Sequence, residues 1–544
     1  MKVTKLLILV FLFFAGGCAN RVVPTGGAKD VIPPKLISAV PENSTINFSS
    51  KEITLNFSEY MQLKDLPSQL LVSPLMDPLP IVRVSKRSII VKLPEKLRKN
   101  TTYTINFGKA IADLHEGNSL DNFQYVFSTG SILDSLQCIG VVKDAGTLSN
   151  VKDVTVMLYL KTDSVSIPDS LIFNKKPDYF THTNENGFFK INNIAEGNYF
   201  IYALEDKNNN YILDNLKDEH MAFTNKICVI PQKDSINLLL SIQQPAKAQF
   251  LKAQLVVPYK VVLLFNSSID SLSLFDLSTN KDFAGRKEWS KYKDSLFVFM
   301  NDTITDSLNL VIKSNTSIND TIHFKVKSVN NSSKRFGKSD FRMEIKSSPS
   351  QLGSTASLVL ESARPIAKIS NGMQLFIDSV LISSDSYTIK RADSLSQTIE
   401  LIYKWKEGGN YRFRIPSGEL TDLYGITNDT LDFRFKIPST ETSASLSIQT
   451  TNLIDGKNYL LQLLNSKFEL VLQQVIHNSG KYEFNYIFPG SYVVRVVDDR
   501  NNNGKLDFSD YLKGIQSEEV FVSNPAQLRA NWELELELNC TTKQ

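Results

Sequence analysis

Apolar and polar residues alternate in short runs along most of this chain. "EITLNFSEYM" (Glu52–Met61), "SIIVKL" (Ser88–Leu93), "TYTINF" (Thr102–Phe107) and "SLFVFM" (Ser295–Met300) carry β-branched or aromatic residues at every second position. A period of two puts those side chains on one face of an extended strand, as a half-buried strand requires. Turns rich in Asn, Asp, Ser, Gly and Lys separate the runs at regular intervals, the pattern of antiparallel β-sandwiches. Long amphipathic helical patterns are nearly absent, and "LKDLPSQL" (Leu63–Leu70) predicts one turn of helix at most. The expected fold class is all-β, built from tandem antiparallel β-sandwich domains.

At 544 residues the chain exceeds one domain. Polar seams near Thr129–Asp134, Gln243–Ala246, Asn330–Asp340 and Pro438–Ser443 divide it. The expected domains are 32–130, 131–244, 245–330 and 351–439, with 331–350 as a linker, and 440–544. Each has an ordinary sandwich size. Set end to end at about 35–40 Å each, five such domains would make a rod well over ~100 Å long.

Two segments repeat each other without a gap. "GFFKINNIAEGNYFIYALEDKNNNYILD" begins at Gly187 and "GKYEFNYIFPGSYVVRVVDDRNNNGKLD" at Gly480, 293 residues later. Gly197 matches Gly490, Tyr199 matches Tyr492, and Asp206 matches Asp499. A duplicated domain explains this register. Gly197 and Gly490 are expected to allow a turn with positive φ. Tyr199, Tyr492, Tyr103 and Tyr411 are expected at sandwich corners, each hydroxyl reaching the backbone.

The N-terminus reads as an export signal. Lys2 and Lys5 precede the apolar run Leu6–Phe14, which is too short to span a bilayer. "AGGC" (Ala15–Cys18) resembles the bacterial lipobox, in which a peptidase cuts before the cysteine and the thiol carries diacylglycerol. Residues 1–17 are then the signal peptide, Cys18 the lipidation site and 18–31 a Gly- and Pro-containing tether. Two or more acyl chains anchor stably. No acidic residue follows the cysteine closely, which favours the periplasmic face of the outer membrane over the cell surface. The remaining cysteines are Cys138, Cys228 and Cys540. Cys138 and Cys228 are either a disulfide or two buried thiols. The net charge of +3 gives no reason to expect nucleic acid.

Residues 33–130 resemble the bacterial Ig-like domain of S-layer proteins (SbsA-type). "PPKLISAVPEN" (Pro33–Asn43), "ITLNFSEYM" (Ile53–Met61) and "NTTYTINFGKAIADLHEGNSLDNFQYVFSTG" (Asn100–Gly130) carry the likeness. "SLVLESARPI" (Ser357–Ile366) with "NYRFRIPSGELTDLYG" (Asn410–Gly425) echoes it, and "VVLLFNSSID" (Val261–Asp270) suggests a more diverged copy. The two repeated segments resemble transthyretin-like or carboxypeptidase-regulatory-like domains, which are accessory modules without peptidase activity. The order of modules resembles envelope lipoproteins of Bacteroidota. That resemblance implies an architecture and an address, with an envelope protein as the expected partner and no small-molecule substrate.

No Gly-x-Ser-x-Gly, His-Glu-x-x-His, P-loop or Gly-x-Gly-x-x-Gly occurs, so no enzyme class is indicated. Asp113, beside His115, reads as a turn-former bonding its own backbone. A multi-domain binding or assembly scaffold and a surface adhesin or glycan-binding protein are the two remaining classes. Twelve Asp-Ser/Thr-apolar triplets resemble the O-glycosylation acceptor of exported Bacteroidota proteins, with Ser164 and Ser170 the candidate acceptors; a turn Asp before a strand yields the same triplet.

"DDRNNNGKLDFSD" (Asp498–Asp510) bears on a cofactor. Counted from Asp499, oxygen-bearing side chains fall at positions 1 (Asp499), 3 (Asn501), 5 (Asn503), 9 (Asp507) and 12 (Asp510), with Gly504 at 6. This is the spacing of an EF-hand-type calcium loop, with Asp in place of the usual last Glu. The sister loop offers Asp206, Asn208, Asn210 and Asp214, but Tyr211 replaces the glycine and Lys217 stands at position 12, so Asp218 or Glu219 must substitute. The other reading of both loops is a polar turn whose side chains cap backbone amides.

Overall fold

The structure is a computed structural model. It describes residues 29–541 except 162–170, 215–218, 233, 244–247, 258–259, 270, 278–280, 284, 291–292, 300–306, 315–317, 326–340, 348–356 and 392–395. Cys18, Ser164, Ser170, Lys217 and Asp218 lie outside the described residues.

The period-two runs are strands, and nearly all pair antiparallel. In the first domain Leu36–Val40, Glu52–Phe57, Ser88–Lys92 and Ile81–Ser85 form one sheet in that order. It faces a sheet of Leu71–Ser73, Thr102–Asn106 and Gln124–Ser128. Alternate residues Ile53, Leu55, Phe57, Ile89, Val91, Tyr103, Ile105 and Phe127 fill the space between. Strands from Phe250 to Lys325 and from Met343 to Lys436 build two further sandwiches with their own cores. Met343–Ile345, inside the expected linker 331–350, is a strand paired with Leu358–Ser362.

The duplication extends to topology. In the first repeat Phe188–Ile194, Leu136–Asp144 and Ile236–Leu240 form a three-stranded sheet. Tyr179–His182, Thr155–Leu160, Gly197–Leu204, Met221–Phe223 and Cys228–Ile230 form the five-stranded partner. The second repeat reproduces both sheets with Gly480–Ile487, Ala444–Thr451 and Glu533–Asn539, and with Leu470–Ile476, Tyr459–Asn465, Gly490–Asp498, Val520–Val522 and Ala526–Leu528. In each copy the chain closes with one parallel pairing. Cys138 and Cys228 face each other across the first repeat's core as free thiols, Sγ to Sγ 3.9 Å. The neighbouring sulfur and burial both hold the Cys138 thiol protonated.

The four corner tyrosines do reach the backbone. Tyr199 donates to the Ala195 carbonyl and Tyr492 to that of Phe488, both at 2.9 Å. The Arg98 and Lys406 N–H groups donate to Tyr103 and Tyr411, both at 2.8 Å. The expected role of the glycines needs correction. Positive φ falls on Asn193 and Tyr486, four residues before Gly197 and Gly490. The glycines instead make room for the ring two residues on. A Cβ at Gly490 would lie 3.2 Å from Tyr492 Cε2, and one at Gly197 3.4 Å from Tyr199 Cε2.

The end-to-end rod is also corrected. The second repeat packs back on the first through reciprocal loops. Tyr511 joins a cluster with Met157, Tyr159, Phe180, Tyr202 and Phe223 on the outer face of the first repeat's five-stranded sheet. In return, Leu148 packs with Leu460, Val497 and Val520 of the second repeat. Arg495 donates to the Gly146 carbonyl at 2.8 Å. A buried polar knot closes the contact. Ser509 Oγ lies 2.7 Å from Ser241 Oγ and 2.8 Å from Gln243 Nε2, and the Tyr511 N–H donates to Gln243 Oε1 at 3.1 Å. Sheets apolar on both faces need such cover, and "TVMLYL" and "YLLQLLN" are buried almost throughout.

Candidate functional site

The paired Asn-Asp loops leave the ends of Gly197–Leu204 and Gly490–Asp498, the central strands of the two five-stranded sheets. Both adopt one conformation. Gly504 has φ +76° as its position demands, and Tyr211 takes φ +63° at the matching place. A non-glycine residue held there costs about 1 kcal/mol. Asn502 and Asn209 are left-handed as well.

Side chains converge inside each turn. The Asp499 carboxylate accepts the N–H groups of Asn503 at 3.0 Å and Gly504 at 2.9 Å. Asp507 Oδ2 accepts the amides of Asn501 and Asn503 at 2.5 and 2.6 Å. The sister loop repeats this. Asp206 accepts the N–H groups of Asn210 and Tyr211, and Asp214 Oδ2 accepts the amides of Asn208 and Asn210 at 3.0 and 2.7 Å. Those two amides hold the Asp214 carboxyl below its ordinary range.

Asp510 does not join the set. It faces its own turn, accepting the Lys513 N–H at 3.2 Å and pairing with the Lys513 ammonium at 2.8 Å. Glu518 takes its place. It is 2% exposed and accepts the N–H groups of Arg500 at 2.8 Å and Asp507 at 3.0 Å. Burial pushes its pKa up to about 7; the two N–H groups oppose this, and Asp507 and Asp499 add to it. Glu219, equally buried, plays this part in the first repeat, accepting the Asp214 N–H at 3.3 Å.

Sequence reasoning missed Glu518 because the register changes inside the loop. Tyr202 pairs with Phe223 in the first repeat and Arg495 with Val522 in the second. The offset is 293 before the loop and 299 after it, so the second copy carries six extra residues. Realignment after the loop brings Glu219 onto Glu518 and Asn225 onto Asn524. The extra residues fall in the stretch that carries Ser509 and Tyr511, the side chains that clasp the first repeat. One loop therefore holds both the polar cage and the clasp.

Among the described residues no group of three or more His, Cys, Asp or Glu side chains could hold a metal by itself. Here two asparagines must complete any donor set. The oxygens of Asp499, Asn501, Asn503, Asp507 and Glu518 suit a hard cation. As they stand, backbone N–H groups satisfy Asp499 and Glu518, and the two asparagine amides satisfy Asp507. The oxygens of Asn501 and Asn503 accept the N–H groups of Asn503 at 3.1 Å and Lys505 at 3.0 Å, bonds a bound ion would have to replace. An amide turned over would present oxygen in place of NH₂.

The loop acids of the sandwiches outside the repeats serve structure. Asp113 accepts the N–H groups of Glu116, Gly117 and Asn118 at 2.6–3.0 Å. Burial opposes its ionisation, but these donors outweigh it and hold the carboxyl below its usual range. Asp422 accepts the N–H groups of Tyr424 and Ile426 and pairs with the buried Arg364 at 2.7 Å.

Residues 30–129 match the family model of the bacterial Ig-like domain. Among solved structures, the chain is similar to BcpA, the major pilin subunit of Bacillus cereus. The identity is 10%, over 75% of this chain and 100% of that one, with a TM-score of 0.12. It is similar to the S-layer protein SbsC at 10% identity over 92% of this chain and 67% of that one, with a TM-score of 0.13. Dimeric latent PorU from Porphyromonas gingivalis is similar at 13% identity over 56% and 35% of the two chains, with a TM-score of 0.17. A comparison with curated proteins returned no match.

Proposed function

We propose that this protein is a non-catalytic envelope lipoprotein, held in the outer membrane by lipid on Cys18 with its domains on the periplasmic side, and that it serves as a scaffold for an envelope protein partner. The observation that carries this reading is the reciprocal packing of the two repeats. Buried loops exchanged between domains fix their relative placement, and fixed domains present a preformed surface, which lowers the entropic cost of holding a partner. The Ig-like match at residues 30–129 supports the envelope address. Crosslinking in cells followed by purification tests the reading. One or two discrete protein partners are expected; retention on glycans with no protein partner would replace the scaffold by an adhesin.

Two further expectations belong to this reading. Cys18→Ala should stay uncleaved before residue 18 and carry no acyl mass, and cleavage there with an acylated mass like the wild type's would refute the lipobox. Glycan on Ser164 or Ser170 should add hexose-sized mass, and an intact mass equal to the bare lipidated chain rules it out. Calcium is the ion proposed for the Asp499 loop, where Gly504 takes its φ without strain, and more weakly for the Asp206 loop, where Tyr211 does not. Bound there, it would stiffen a loop that also carries the clasp.

A further inference from the structure

The first sandwich has an apolar rim at the end where the chain enters it. Four side chains stand out to solvent there: Val31 is 76% exposed, Ile32 57%, Leu114 50% and Tyr60 45%. They form one surface. The Leu114 N–H donates to the Tyr60 carbonyl at 2.7 Å, and the Asn118 amide donates to the carbonyls of Asp30 and Ile32 at 3.0 and 3.4 Å. The Arg87 guanidinium lies 5.2 Å from the centre of the Tyr60 ring. Exposed Lys35, Lys64 and Lys86 stand around this rim. With Lys29 and Arg87 they number five against the four nearby carboxylates Asp30, Glu59, Asp113 and Glu116.

This end is the one at which the chain from Cys18 enters the sandwich. Phe57 meets Phe123 here, whereas Phe48 meets Phe127 at the other end, from which Ser128 leads on to the first repeat. Twelve residues separate Cys18 from Val31. Fully extended they span roughly 40 Å, and as a flexible coil about 20 Å. A lipid on Cys18 thus keeps the rim within reach of the headgroups.

We propose that this rim docks on the bilayer surface. Val31, Ile32 and Leu114 enter the boundary between headgroups and acyl chains, Tyr60 lies at headgroup level, and the basic residues meet anionic phospholipid. Apolar tips ringed by aromatic and basic side chains suit that interface. The docked rim sets the orientation of the first sandwich, which a flexible tether alone leaves free.

The proposal takes the position of the tether from the anchored reading, so the test supplies the anchor separately. The chain from Ala19 onward, with an N-terminal hexahistidine, is held on phosphatidylglycerol vesicles containing nickel-chelating lipid. An environment-sensitive fluorophore is placed at Leu114→Cys or, as a reference, at Leu470→Cys on the second repeat. Headgroup nitroxide lipids should quench the label at 114 at least fivefold more than the label at 470. Adding Val31→Ser with Ile32→Ser should remove most of that difference while the protein stays on the vesicles. Equal quenching of both labels, or a difference that the double substitution leaves intact, overturns the proposal. Attachment here does not depend on Cys18, so failure of the lipobox reading shows only in the Cys18→Ala experiment.

Discussion

Tyr511→Ala should destabilise the protein by about 3 kcal/mol or more and release the second repeat from the first. The ring packs edge-on against Tyr202 at 5.6 Å and Phe223 at 5.3 Å, and its hydroxyl lies 3.3 Å from that of Tyr202. Truncating a buried aromatic costs about 3–5 kcal/mol. The loss falls on the contact between domains, because Tyr511 stands in a loop and the second repeat keeps its own core of Leu446, Leu461, Val494 and Leu528. Denaturant unfolding should therefore resolve a second transition, and X-ray scattering should give a larger radius of gyration. Tyr511→Phe keeps the rings in place and should cost no more than about 1 kcal/mol. An unchanged midpoint and an unchanged radius for Tyr511→Ala would show that the clasp does not hold the repeats together.

Glu518 should make stability fall as pH rises. Its folded pKa is lifted from an ordinary 4.5 to about 7. Below the lower value the group is protonated in both folded and unfolded states and contributes nothing. Between the two, the folded state keeps a proton that the unfolded state gives up. Stability is then lost by about 1.4 kcal/mol per pH unit, reaching about 3 kcal/mol in total above neutrality. Glu518→Gln should remove this slope and be the more stable protein at pH 8. Calcium should reverse the relation, since a bound cation favours the ionised carboxylate. At pH 7, where Glu518 is about half protonated, binding in the weak range of ~10⁻⁴–10⁻³ M should release about half a proton. Ten millimolar calcium against a Kd near 1 mM should stabilise by about 1.4 kcal/mol, and Glu518→Gln should lose most of that gain. Calorimetry decides between the two readings of the loop. No heat and no change in melting temperature at millimolar calcium, alike in the wild type and in Asp499→Ala with Asn501→Ala, leaves a polar turn that capping alone explains.

Much of the fold was legible because its signals are local. Alternation over five or six residues dictates which side chains share a face, so Ile53, Leu55 and Phe57 mark a core strand wherever the strand goes. The corner tyrosines were legible for the same reason, since each bonds a carbonyl or N–H only four or five residues away. The cage was legible in part. Asp499, Asn501, Asn503 and Asp507 meet within one turn, whereas Glu518 arrives after an insertion that shifts the register of the repeat. Gly490 was read for its backbone freedom, but the packing of the Tyr492 ring against it explains its place. No local pattern distinguishes those two uses of a glycine.

The sequence alone determined the all-β class, the duplication and the composition of the paired loops, because each depends on neighbours along the chain. The tertiary structure alone decided that the repeats fold back on each other. Ser241 meets Ser509 and Tyr202 meets Tyr511 across 268 and 309 residues. Strands apolar on both faces, such as Thr155–Leu160 and Tyr459–Asn465, signalled that something must cover them. Which loop does so depends on shape and on a closed set of hydrogen bonds, and those exist only once both sandwiches have formed.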